Sequence, residues 1–336
     1  MTNIHMEENE NKEIRDNSLT EKRRVSKLTI SWWGAAVVLA VILIVFKVDV
    51  KVKLNPSIFG EQSGGQAEQA VATVVTPASV ADETILLQQA VLPAEGYTIS
   101  LEWGDTGKKL VESGAIDMDK YRENYGDTAY ADLLTYLTEN KSDGITITSE
   151  NAYFWVNTLW ALGLTQSSDV LEKGIMMAEY KDKLANFAST GGWTLGAKDS
   201  MDLYSSQNIV ILTPQQQSLV ARVSEGIYRP CCGNSTAFPD CNHGMAILGL
   251  LELMASQGFS EEEMYKASLV FNSYWFPQTY IDLAYYFKTK ENTPWKDVDA
   301  RKALGAKFSS SQGYSQIKKQ IGTVPGTKPA GGSCGA

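Results

Sequence analysis

Histidine and cysteine are scarce in this chain. His5 and His243 are the two histidines among 336 residues, and there are four cysteines. Soft and borderline metal ligands can therefore gather at few places. Basic charge is also thin. Lys and Arg number 30 against 39 Asp and Glu, for a formal net charge of −9. The stretch 96–321 is acidic and has no basic run. That excludes the electrostatic footprint of a nucleic-acid binder, so no nucleic-acid partner is expected. Alternating strand patterns are few, limited to Tyr97–Trp103 and Ile145–Thr148. No internal repeat is found, which excludes a solenoid. The glycine-rich Ser189–Gly196 lacks the lysine of a phosphate loop. It reads as a tight turn that brings backbone close to the cysteine segment.

One long uncharged run is present. Leu28 to Phe46 reads LTISWWGAAVVLAVILIVF. As a helix it would extend roughly 28 Å, enough to cross a hydrocarbon core. Trp32 and Trp33 suit an interfacial belt, and Arg15, Lys22, Arg23, Arg24 and Lys27 precede the run. A single-pass transmembrane helix in contact with membrane lipid is expected, N-terminus in the cytoplasm and the remainder outside. A cleaved signal peptide is the rival; the long preceding tail and the lack of a small-x-small site argue against it.

The expected organisation follows from this span. Residues 1–27 are a polar, disordered cytoplasmic tail. Residues 28–46 are the span, and 47–95 are a linker containing Asn55-Pro56 and Ser63-Gly64-Gly65. Residues 96–321 are one folded domain, and 322–336 a flexible Gly/Pro-rich tail carrying Cys334.

The domain carries recurring helix signals. Asp117 precedes a short helix ended by Gly126, and Ser168 precedes the spaced apolar set Val170, Leu171, Ile175 and Met176. Thr213-Pro214 reads as an N-cap followed by proline at the first helical position. Ser260 and Glu263 form a capping-box pair. An all-α domain of short, irregularly packed helices is expected. Its central helix begins after Cys241 and covers Asn242–Ser256, apolar nearly all round and capped by Asp240 or Asn242.

Chemistry concentrates just before that helix. Pro230–Gly244 reads PCCGNSTAFPDCNHG and holds Cys231, Cys232, Cys241 and His243, spaced C-C-x8-C-x-H. A helix N-terminus favours a thiolate over a thiol and a neutral imidazole over an imidazolium. The loop between the cysteines is long enough to return Cys231 or Cys232 to Cys241. The residues then form a site for zinc, copper or iron, with Cys334 as a further sulfur delivered by the tail. Such a site serves metal handling or metal-dependent redox chemistry. Two alternatives remain open. One cysteine acts as nucleophile with His243 as base, in a thiol enzyme or a thiol–disulfide exchanger. Alternatively, the four cysteines form disulfides that stabilise a structural or partner-binding domain. No particular protein partner is implied.

Neighbouring residues take ordinary readings. Arg229 is expected at the surface, with a role in lowering a thiol pKa as the alternative. Glu252 is expected to face solvent, with a buried acid near the site as the alternative. Met245 and Met254 read as core, as do the aromatics around Pro277. Asn234-Ser-Thr236 and Asn140-Lys-Ser142 match glycosylation acceptors.

Overall fold

A computed structural model describes residues 77–125, 130–325 and 327, with side chains from residue 83 onward. The expected tail 1–27 and span 28–46 lie outside the described residues, as does Cys334. Among the described residues no helix is long and apolar enough to cross a membrane.

The described chain is mostly helical, as expected. Its first helix, α1 (Pro77–Val91), stands inside the stretch expected to be linker. Thr84, Leu87 and Val91 are buried at helical spacing. Their weak amphipathic pattern, in an Ala/Val/Gln-rich sequence, hides this face from a sequence reading. Beyond α1, strand β1 (Tyr97–Ile99) pairs antiparallel with β2 (Ile145–Ile147), Thr98 opposite Thr146. Between them lie α2 (Thr106–Glu112), α3 (Met118–Tyr125) and α4 (Ala131–Thr138). Asp117 accepts from the amides of Asp119 and Lys120 at the start of α3, as its sequence position implies.

Helix α5 (Ala152–Thr165) is buried along nearly its whole length. The apolar set after Ser168 forms two short helices, α6 (Asp169–Lys173) and α7 (Ile175–Tyr180), instead of one. The break is Gly174, where a side chain would lie 2.1 Å from the Val170 carbonyl oxygen. After α8 (Ser200–Leu203), α9 (Pro214–Glu225) opens with a full capping box between Thr213 and Gln216. Then come α10 (Asn242–Ser256), α11 (Glu261–Trp275) and α12 (Pro277–Lys290). Ser260 and Glu263 box the start of α11, and Pro277 separates α11 from α12. The short α13 (Ala300–Leu304) and α14 (Ala306–Ser309) lead to α15 (Ser311–Ile321).

The centre of the fold is the crossing of α5 and α10. Gly163 and Gly249 meet there: a side chain on Gly163 would lie 2.0 Å from the Met245 carbonyl, and one on Gly249 2.5 Å from the Leu159 carbonyl. Two backbones can approach so closely only because both lack a Cβ. Around them Met245, Ile247, Leu248, Leu250, Leu251 and Met254 have no more than 0% exposure. Each side chain so buried contributes roughly 1.5–3 kcal/mol. Phe271, Tyr280 and Phe287 are also in this core. The beginning of α10 is thereby held rigidly, and with it everything the preceding loop carries.

The beginning of the expected tail is packed. Val324 is buried, and the Pro325 carbonyl accepts a hydrogen bond from Thr84 on α1.

Candidate metal centre

The segment before α10 is folded back by its own backbone. Thr236 N–H donates to the Ile227 carbonyl at 2.8 Å, and Ala237 N–H to the Ser224 carbonyl at 3.2 Å. Cys232 N–H donates to the Arg229 carbonyl at 3.1 Å, which tightens the turn carrying the cysteine pair. Outside contacts pin the turn: Ser311 N–H donates to the Cys232 carbonyl, and Ser189 N–H to the Asp240 carbonyl. The glycine-rich turn at Ser189 thus does approach the cysteine segment.

This folding brings three of the five expected ligands together. The Sγ atoms of Cys231, Cys232 and Cys241 all lie within 4.8 Å of one another. Cys231 Sγ is 3.1 Å from Cys232 Sγ and 3.6 Å from Cys241 Sγ. Among the described residues all three are free cysteines. For comparison, two sulfurs on a tetrahedral zinc ion stand about 3.8 Å apart, given Zn–S bonds of about 2.3 Å. The triangle is therefore of a size to close on one ion.

His243 does not join that group of mutually close ligand atoms. It lies buried, its ring centroid 4.4 Å from that of Phe276 and 5.7 Å from that of Trp275. Its Nδ1 has no hydrogen-bond partner among the described residues.

The helix cap is a correction. Neither Asp240 nor Asn242 caps α10; Cys241 does, its sulfur accepting from Gly244 N–H at 3.4 Å. A sulfur can fill the role because its extended backbone directs the side chain over the first turn, where amides lack intrahelical partners.

Arg229 is the second correction. It is fully buried, not a surface cation. Nη2 donates to Asp240 Oδ1 at 2.9 Å and to Cys241 Sγ at 3.5 Å, while Nη1 donates to the Asn234 carbonyl at 2.9 Å. Nε has no partner. A guanidinium near the positive end of a helix is unfavourable unless anions face it. Asp240 is one such anion, and a thiolate at Cys241 is the second. Gly244 supplies the room: a Cβ there would lie 2.7 Å from Nη2. Asn234 completes the arrangement by donating from Nδ2 to Asp240 Oδ2 at 2.8 Å. That amide is the atom glycosylation would use, and Thr236 of the same sequon is buried and bonded to the Ile227 carbonyl.

The electrostatics divide the three thiols. Hydrogen bonds from Cys231 and Cys232 hold Cys241 well below the usual thiol range; burial opposes them, and Arg229 and then His243 add to the lowering. Cys231 is pushed up, first by its hydrogen bonds to Cys232 and Cys241 and then by burial. Cys232 is pushed up to about 12; the Cys231 hydrogen bond acts downward, and Cys241 and burial outweigh it. Burial acts against the charge on Arg229, and the sulfurs of Cys241, Cys232 and Cys231 more than restore it. The electrostatics thus favour negative charge at Cys241 over its two neighbours, which donate to it. A metal ion that takes those two protons' places neutralises what their loss would leave behind.

Glu252 is the third correction, since it does not face solvent. It is fully buried on α10, both carboxylate oxygens lack hydrogen-bond partners among the described residues, and burial raises its pKa well above the usual range.

Sequence reasoning located the cysteines and the start of α10 but missed Arg229, Asp240 and Gly244 as one unit. The available signal was their adjacency: an arginine two residues before the cysteine pair, an aspartate just before Cys241, and a glycine in the first helical turn.

No protein-family model, curated protein or solved structure matches this chain.

Proposed function

We propose that this is a metal-binding protein whose centre is the sulfur triangle of Cys231, Cys232 and Cys241, carried on a membrane-tethered extracytoplasmic domain. The observation that carries the reading is the convergence of three free thiols from two separate segments onto a buried guanidinium and a helix N-terminus. Thiolates suit soft and borderline ions, so zinc, copper and iron are the candidates. Arg229 offsets part of the negative charge that three thiolates would build up. The fourth position belongs to His243, to Cys334 or to solvent; an open position would permit chemistry as well as storage.

A second reading rests on the division of the thiols. Cys241 as a stabilised thiolate beside Cys231 as a protonated thiol is also the arrangement of a thiol–disulfide exchanger. Elemental analysis and thiol counting on the full chain, purified without oxygen, separate the two. Stoichiometric metal that is lost in Cys231→Ser, Cys232→Ser and Cys241→Ser supports the metal centre. Metal-free protein with a fast-reacting Cys241 supports the exchanger. Absence of both metal and free thiols would sink both and leave a disulfide-stabilised structural domain. Cys334→Ser and His243→Gln then identify the fourth position, by whichever lowers metal retention.

A further inference from the structure

A cavity opens one residue away from Cys241. It measures about 400 Å³, within the roughly 300–1,000 Å³ of small-molecule sites. Three carboxamides line it, from Asn124 on α3, Asn157 on α5 and Asn242 at the start of α10. Three aromatic rings line it as well: Tyr153, Trp160 and Trp193. None of its lining residues is charged.

Asn157 is the most informative of these. It is only 3% exposed, and its Nδ2 donates to the Tyr125 hydroxyl at 2.8 Å. Among the described residues its carbonyl oxygen has no protein partner. That oxygen is not fully enclosed, so it is an open acceptor at the cavity wall, available to a donor on a ligand. The indole N–H groups are already engaged, Trp160 Nε1 with the Ser189 carbonyl at 2.7 Å and Trp193 Nε1 with the Ala115 carbonyl at 2.9 Å. The tryptophans therefore line the cavity without free donors, and since Trp193 is only 5% exposed, Tyr153 and Trp160 supply most of the aromatic surface.

From this we propose that the cavity binds a neutral saccharide unit. Carboxamides match hydroxyl groups because each side both donates and accepts. Aromatic surface packs against the apolar C–H face of a sugar ring. The absence of charge argues against phosphates and carboxylates, which would be desolvated here with no cation to meet them. A flat base fits less well. Trp160 and Trp193 stand 4.9 Å apart at 64°, edge to face, and do not form the parallel jaws that would sandwich a planar ring. The inference does not depend on the identity of the cysteine centre. Asn242 follows Cys241 directly, so the sugar would be held by the same rigid helix start that carries the sulfurs.

The test is titration of the full chain, kept in a detergent without a sugar headgroup, followed by tryptophan fluorescence and calorimetry. The probes are glucose, N-acetylglucosamine and their β-1,4-linked dimers, with glucuronate and glucose 6-phosphate as charged analogues and adenosine as the planar control. At least one neutral sugar should saturate the signal and bind more tightly than its charged analogue. Asn124→Ala and Tyr153→Ala change exposed rim positions and should leave the fold intact; each should weaken that binding about 3- to 10-fold, the worth of one neutral hydrogen bond or contact. The proposal is overturned if no neutral sugar binds saturably, if adenosine alone binds, or if both rim variants bind as the parent does.

Discussion

Replacing Arg229 with methionine removes the guanidinium that Asp240 and Cys241 share. The side chain is fully buried, so no solvent takes its place. Two charge-assisted contacts and the bond to the Asn234 carbonyl are lost together. Removing one partner of a buried ion pair costs about 3–5 kcal/mol when the other is left stranded. Asp240 is not wholly stranded: its side chain is 22% exposed and keeps the Asn234 amide. The cost should therefore fall at or below the lower end of that range, about 2–3 kcal/mol. For a domain of about 250 residues that lowers the melting temperature by roughly 4–12 °C. Differential scanning calorimetry of the metal-stripped protein reads this directly. Arg229→Met combined with Asp240→Asn should recover part of the loss, because the unpaired anion is then also gone. If the two substitutions simply add, the pair is not coupled and the charge argument for this site is wrong. The same variant should slow alkylation of Cys241 in the metal-stripped chain, as loss of the cation lets the thiol pKa rise. The sign of the linkage is definite. A depressed thiol pKa stabilises the fold fully above the ordinary thiol value of about 8.5 and loses that contribution as pH falls through the folded value. Removal of Arg229 should therefore cost most at alkaline pH.

Three further outcomes are expected. Glu252→Gln should raise the melting temperature increasingly as pH climbs past the ordinary carboxylate value of about 4.3, because burial disfavours the anion that the unfolded chain forms freely; a pH-independent difference in thermal melts would contradict the buried-acid assignment. Gly249→Ala places a Cβ 2.5 Å from the Leu159 carbonyl and 2.6 Å from the Gly163 amide nitrogen, so it should destabilise by at least about 1–3 kcal/mol in chemical denaturation. Protease added to intact cells should digest the domain 96–321 and spare residues 1–27; digestion of the tail alone would reverse the expected orientation.

Local signals carried far in this chain. The N-cap at Thr213, the box at Ser260, the aspartate before α3 and the extent of α10 were legible because each depends on side chains within one turn of the backbone they satisfy. The sulfur cluster was legible as a neighbourhood, since a ten-residue loop is short enough to close wherever its ends lead. Helix α1 was not, because its buried face becomes apolar only through what covers it. The burial of Arg229 and Glu252 was also beyond local reading. Charged residue types predict exposure, and only the packing of distant segments can overrule that by supplying counter-charges or by leaving no route to water. Gly244 and Gly249 make the same point: nothing beside them in sequence demands glycine, and the need arises from a guanidinium and a helix backbone brought up in space. Residue type and spacing thus determined which groups could do chemistry here. Tertiary packing decided which of them meet, which hold charge, and that His243 stands among aromatic rings outside the sulfur triangle.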